Sequence, residues 1–393
     1  MIRNFTADYV FPIVSEPIKN GVVSVDENGE ILGIYSKDQA SLHPGTLEKL
    51  SGIIVPGFVN SHCHLELSYL RDKIPAGNGL VSFVQDVIET RKQPVDDSDI
   101  AQAMQQADKE MRGNGIVATG DISNTSASVE VKQGSPIYYH SFIELLGFSP
   151  TAASAAFEKG NSIKAQFNGL PASIVPHAPY TVSKELFRLI RKKCEGGINL
   201  LSMHNQESEE ENKFYRYKKG RFVELYDNLD QNIDFFKPQA RNSIQTVIPL
   251  IEESTPILLV HNTYTTVKDI SFVRRFGRNI TWCFCPKANL YIENRLPKID
   301  IFLDHPFDIV LGTDSLASND KLCILSEMMV IQEHFPNIPL PQLLKWATMN
   351  GAKFLGIDDL FGSLEKGKKP GLNLISEMNG FKFTEASKVT PLV

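Results

Sequence analysis

The chain has 393 residues, 42% of them hydrophobic, with 26 glycines and 22 prolines, enough to bury one large core or a large core with a small companion. A formal net charge of -6 supplies no basic field to gather a polyanion, which argues against nucleic acid and anionic membrane surfaces as partners and leaves small molecules. Five cysteines, an odd number over so long a chain, do not make the dense even framework of a secreted domain, so reduced thiols are expected.

The opening stretch "MIRNFTADYVFPIVSEPIKNG" has no apolar core flanked by a cleavage site, and no apolar run is long enough to cross a bilayer; a cytoplasmic address is the expectation. Residues 1–54 carry short alternating runs such as "GVVSVDENGEILGIYS", with "DENGE" as a turn between two strands. Next comes "GFVNSHCHLEL", Gly57 to Leu67, an apolar run that ends in two histidines one residue apart. Further β-type runs follow: "GIVATGDIS" from Gly115, "IYYHSFIE" from Ile137, "LPASIVPH" ending at His177, "INLLSMH" at His204, "PILLVH" at His261, "ITWCFC" at Cys285 and "DIVLGTD" at Asp314.

Helical periodicity fills the gaps, as in "GLVSFVQDVIETRK", "DSDIAQAMQQADKEMRGNG", "SKELFRLIRKKCEGG" and "SEMMVIQEH". Strands alternating with helices imply parallel pairing through right-handed crossovers, and eight such units predict an α/β fold, a (β/α)8 TIM-type barrel over residues 55–358. An open doubly wound sheet lacks its glycine signature here. The tail, residues 359–393, alternates like the N-terminus, so a small β-sandwich domain built from both chain ends is expected. One connection is unusually long: residues 205–243 form either a solvated helix pair or a lid or wall of the pocket.

His62, His64, His177, His204, His261 and Asp314 all stand at carboxyl ends of predicted strands, and in a barrel those ends share one face. One histidine at a strand end is ordinarily a core or capping residue; six polar groups on one rim make a site. In an extended strand His62 and His64 point the same way and Cys63 the other. Imidazole nitrogen and carboxylate oxygen suit Zn2+ and similar ions, and a catalytic ion keeps a position open for water.

The expected ligands are His62, His64, His204 and Asp314 around one divalent ion, zinc first, with Fe2+ or Mn2+ as alternatives. Such an ion lowers the pKa of its water from 15.7 to roughly 7, yielding a hydroxide nucleophile. Glu207, in "HNQE", is expected to shuttle a proton to a ring nitrogen, although it also begins the acidic run "ESEEE", which reads as solvated surface. Asp314 can accept the proton of the attacking water, and His261 can orient the hydroxide or stabilise developing charge.

Glu66, just after "HCHL", lines the site or braces it. Asn289 and Ser318, in loops after the seventh and eighth strands, are candidate pocket residues. Cys283 and Cys285 read as inert core thiols, and His43, His140, His305 and His334 fall outside the set, although His140, placed near the third strand's end, could reach the rim.

"VPGFVNSHCHLE", "PHAPYTVS", "MHNQES", "VHNT", "CPKANLYIENRLP", "LGTDSLASND" and "WATMNGAKFLG", in that order, resemble the amidohydrolase superfamily, in its branch of nucleoside deaminases and chlorohydrolases. The resemblance spans nearly the whole chain. It implies a single ion held by His62, His64, His204 and Asp314, with Glu207 as proton shuttle, His261 as the hydroxide-orienting histidine and His177 as a substrate contact. Binuclear relatives carry a carboxylated lysine on the fourth strand, which offers no lysine here. The chain also departs from the pattern. "CFCPKANL" replaces a Ser-His seen in many relatives, and Glu144 stands where some place an arginine for an acidic substrate group. Glu144 then meets a substrate hydroxyl or amine, or pairs with a buried cation.

The expected function is hydrolytic deamination of an aminopurine or a related heterocycle or nucleoside. Opening of a cyclic amide, or hydrolysis of a triazine-like ring, uses the same ion and shuttle. A non-catalytic barrel acting as a binding protein is the reading from another class. A small-molecule substrate and a homodimer complete the expectations.

Overall fold

Near-continuous apolar runs such as "FVNSHC", "ILLVH" and "ITWCF" are buried along their whole length, the pattern of strands covered on both faces. In the structure, a computed structural model that describes residues 2–36, 46–195 and 199–393, eight such strands are Phe58–Cys63 (β1), Ile116–Ser123 (β2), Tyr138–Leu145 (β3), Ala172–Pro176 (β4), Leu201–Asn205 (β5), Ile257–His261 (β6), Ile280–Phe284 (β7) and Asp308–Leu311 (β8). They run parallel in two four-stranded ladders, β1 to β4 and β5 to β8. Of the histidines set aside above, His43 lies outside the described residues.

Backbone hydrogen bonds cross both gaps between the ladders. His204 N–H donates to the His177 carbonyl (2.9 Å), and the N–H groups of Thr313 and Asp314 donate to the His62 carbonyl (3.0 and 3.1 Å). An asparagine side chain reinforces each seam by imitating a neighbouring strand. Asn199 Oδ1 accepts from Ile174 N (3.1 Å) while its Nδ2 donates to Ile174 O (3.0 Å). Asn60 Oδ1 accepts from Thr313 N (3.0 Å) and its Nδ2 donates to Thr313 Oγ1 (2.8 Å). The result is the expected TIM-type cylinder.

Amphipathic helices cover it. Helix Lys184–Glu195, for example, buries Leu186, Phe187, Ile190 and Cys194 at helical spacing. Among the described residues no helix is long and apolar enough to cross a membrane.

Both chain ends build the second layer pair. One sheet orders Ile31–Tyr35, Val22–Val25, Arg3–Thr6 and Thr46–Lys49; the other orders Lys388–Pro391, Leu372–Ser376, Ile53–Pro56, Tyr9–Val10 and Ile18–Lys19. They enclose a separate core of Phe5, Val10, Val23, Val25, Ile31, Ile54, Leu372 and Leu374. The "DENGE" turn closes on Asp26, whose Oδ1 accepts from Asn28 N and Glu30 N (both 2.8 Å). Gly57 joins this layer pair to β1, and a Cβ there would sit 2.4 Å from Val117 and 2.6 Å from the Pro370 carbonyl.

The observed strand ends refine the expected ones. β8 stops at Leu311 rather than Asp314, because the next residues turn across to bond β1. His140 is the third residue of β3, not near its end, and its Nε2 meets Ser173 Oγ at 2.8 Å, so it does not reach the rim.

Asn199→Ala leaves the Ile174 amide and carbonyl unpaired in a buried seam, and a loss of about 1–3 kcal/mol is expected in urea unfolding. Burial first, then the charges of Lys164 and Lys132, lowers His140 to about 4. The unfolded side chain titrates near 6.5, so unfolding takes up a proton between these values. Stability is therefore complete above pH 6.5 and falls toward pH 4 by up to about 1.4 kcal/mol per unit. His140→Gln removes this dependence, and its advantage over the native chain in urea unfolding should grow as the pH drops.

Candidate metal centre

β1 delivers the first two donors. His62 lies inside the strand; His64 is one residue past it, where the backbone leaves the extended region (φ -125°, ψ 81°). Their Nε2 atoms approach to 3.1 Å, and His204 of β5 brings its Nε2 to 3.3 Å from that of His64. Asp314 Oδ1 stands 3.3 Å from His64 Nε2 and 3.6 Å from His62 Nε2. His261, the last residue of β6, closes the group: one donor atom each from His62, His204, His261 and Asp314 all lie within 4.8 Å of one another.

Two atoms bound at zinc distances in a tetrahedron are roughly 3.3 Å apart, so these spacings are those of donors around one ion. The protonation states agree. Burial lowers His64 and His261 to about 3, and holds His204 well below its ordinary value. Burial alone would raise the Asp314 carboxyl, but the surrounding imidazoles of His62, His64 and His261 outweigh it and keep it ionised. A divalent cation fits this set of nitrogens and one carboxylate. The tautomer of His204 is fixed for it as well, since Nδ1 donates to the His177 carbonyl (3.0 Å) and leaves Nε2 as the inward lone pair.

The backbone at these strand ends is strained: Gln206, His261, Asn262 and Asp314 have φ of 45°, 74°, 58° and 58°, a region that costs non-glycine residues about 1–3 kcal/mol each. Side-chain bonds hold them there. Asn262 Nδ2 donates to the carbonyls of Leu259 (2.8 Å) and Cys283 (3.1 Å), and its Oδ1 accepts from Asn205 Nδ2 (2.9 Å). Ser318 Oγ donates to Asp314 Oδ2 at 2.5 Å, so this residue grips a donor of the cluster.

Glu207 reaches the cluster's edge, with Oε1 3.6 Å from His261 Nε2. Burial first, and then the charge of Asp314, raises its carboxyl well above the ordinary range. Glu144 lies behind His204, Oε1 being 3.5 Å from Nδ1, while its Oε2 accepts from Asn124 Nδ2 (2.9 Å). Glu66 takes the bracing option: Oε2 accepts from the backbone N–H groups of Asn124 (3.0 Å) and Thr125 (3.1 Å). Asn289 is buried beside His261 and donates to Thr263 Oγ1.

His177 stands one residue past β4, its Nδ1 2.7 Å from Thr181 Oγ1. Thr181 and Asn124, which the sequence pattern does not single out, thus hold two residues that it does. The available signal was a small polar residue shortly after a strand end.

Within residues 205–243 the two helices pack against the barrel loops, while most of residues 227–241 are exposed. Helices Glu209–Tyr217 and Arg221–Asn228 press aromatics onto the loops after β3 and β4: Phe222 stacks on Tyr180 (4.2 Å) and Tyr226 on Phe148 (5.1 Å), while Tyr215 OH donates to the Pro179 carbonyl (2.7 Å). Arg221 Nη2 donates to Ser82 Oγ (2.6 Å), which ties the wall to the region after β1.

The model of the amidohydrolase family matches residues 53–390. This chain belongs to that family. An adenosine deaminase of Helicobacter pylori is 25% identical over 367 residues, 86% of this chain and 82% of the relative. The amidohydrolase barrel also superposes on solved structures. Helicobacter pylori aminofutalosine deaminase in complex with methylthio-coformycin has a TM-score of 0.82 at 23% identity, covering 99% of this chain and 97% of the other. An adenosine deaminase from Xanthomonas campestris with bound zinc has a TM-score of 0.71 at 21% identity, covering 95% and 84%. Family and donor set together make the rim of this amidohydrolase a divalent-metal site.

Ser318→Ala frees Asp314 Oδ2. Apparent zinc affinity, measured against a chromogenic chelator, should weaken roughly 10–100-fold with little change in unfolding of the ion-free chain.

Proposed function

We propose that this amidohydrolase is a hydrolase acting on carbon–nitrogen bonds that deaminates an aminopurine or a related nucleoside. Residues His62, His64, His204 and Asp314 would hold one ion, zinc before iron or manganese. When bound, a divalent ion would supply a water whose pKa is lowered to roughly 7. The observation that carries the reading is Glu207: a buried carboxyl whose Oε1 stands 3.6 Å from His261 Nε2, at the edge of a set of imidazoles and one carboxylate, and which burial raises well above the ordinary range. Protonation of a ring nitrogen beside an amino-bearing carbon is the step that a 6-aminopurine needs and a peptide does not. The names of the relatives, adenosine deaminase and 5'-deoxyadenosine deaminase among them, point the same way.

The roles divide as follows. Glu207 donates its proton to the ring nitrogen next to the carbon under attack. Asp314, ionised and gripped by Ser318, takes a proton from the attacking water and passes it to the amino group, which leaves as ammonia, while the remaining hydroxyl proton returns to Glu207 as the carbonyl forms. His261, 3.6 Å from Glu207, steadies the charge that develops between them. His177 faces the substrate, and Glu144, Glu66 and Asn289 fix its surroundings from behind. The substrate is a small molecule, and five buried cysteines free of disulfides support a cytoplasmic address.

Zinc-loaded protein should release ammonia from at least one of adenosine, 5'-deoxyadenosine, methylthioadenosine, S-adenosylhomocysteine or aminofutalosine. Turnover of a cyclic amide or triazine with silence across this panel overturns the assignment. Glu207→Gln should lower kcat roughly 10²–10⁴-fold at unchanged zinc content.

A further inference from the structure

We propose that the buried ion pair Asp121–Lys132 is a positioning device for the His62–His64 pincer, acting through the backbone amide of Leu65. Asp121 is the sixth residue of β2 and Lys132 lies on helix Val129–Gly134; both side chains are fully buried, with Nζ 2.7 Å from Oδ2. The other carboxylate oxygen, Oδ1, accepts from Leu65 N at 2.7 Å. Leu65 immediately follows His64, at the point where the chain leaves the strand. Lys132 spends its remaining donors on Ser123 Oγ (2.9 Å) and Ser141 Oγ (2.8 Å), so its three N–H groups are all used. Rings of Phe167 and Tyr139 close around the ammonium at 5.1 and 5.6 Å.

Stability alone does not account for such a pair. An apolar pair of the same volume is generally as stable, because desolvating two charges offsets their attraction. What an apolar pair lacks is a directed acceptor. The same region makes a second attachment one residue later, where Glu66 accepts from the backbone of Asn124 and Thr125. Leu65 and Glu66, immediately after His64, are therefore fastened to residues 121–125 at two consecutive positions. On the opposite flank, Thr313 and Asp314 bond the His62 carbonyl. The pincer is held from β2 as well as from β8, and Lys132 keeps the Asp121 carboxylate from rotating away.

This inference rests on the reading of His62 and His64 as metal ligands, and two charge-free double variants separate it from that reading. Asp121→Asn with Lys132→Met keeps an acceptor for Leu65; Asp121→Leu with Lys132→Met removes it. Zinc affinity by chelator competition should stay within about threefold of native for the first and fall roughly 10–100-fold for the second, with cooperative urea unfolding of both ion-free variants showing that each is still folded when the affinity is read. Equal affinity in both overturns the proposal and leaves the metal site standing; a native chain that takes up no zinc brings down both. Hydrogen exchange at Leu65 in the native, ion-free chain answers without a variant. Protection matching that of the β1 amides is expected, and exchange at loop rates means that the pincer is not preformed and overturns the proposal.

Discussion

Burial of like groups at one point is the constraint on which this molecule is organised. His62, His64, His204, His261 and Asp314 converge at the carboxyl rim of the barrel with their donor atoms a few ångströms apart, out of water. Burial lowers His64 and His261 to about 3. A carboxylate among them stays ionised. Nitrogen lone pairs and one negative charge then face a shared point, which is a demand for a cation. The same low-polarity setting acts on Glu207, whose carboxyl is raised well above the ordinary range by burial first and then by the charge of Asp314.

Keeping such a cluster in place requires rigidity that strands alone do not provide. The donors sit at strand ends, several in left-handed backbone, so each is gripped from outside its own strand. Asn262 ties three strand ends together, Ser318 holds Asp314, the His177 carbonyl fixes His204, and Asp121 holds the amide after His64. The asparagines at the two seams serve the barrel itself in a related way. In both cases a short polar side chain stands in for a missing backbone partner.

Most of the architecture was legible because it is written in local periodicity. Runs such as "PILLVH" and "ITWCFC" are too uniformly apolar to be half-exposed strands, and their alternation with amphipathic segments leaves few topologies. His62 and His64 were legible through the period of two. The roles of supporting residues were less so. Glu66 and Glu144 have the same carboxyl chemistry as Glu207, and nothing in their spacing says that the first turns to the amides of Asn124 and Thr125 while the second backs His204. His140 is the fourth residue of "IYYHSFIE", so the run itself already set it in mid-strand, short of the rim, as the structure has it.

By itself the sequence determined what could be decided by neighbours along the chain: alternating strands and helices, the paired histidines on one strand face, and the polar residues that close each apolar run. These follow from backbone geometry and need no distant partner. The tertiary structure alone decided which of those polar groups share a point and which stand behind it, whether the helices within residues 205–243 pack as a wall, and that Asp121 and Lys132 meet Leu65. Those outcomes depend on how strands close into a cylinder and on desolvation by residues far away in the chain, and no local pattern encodes either.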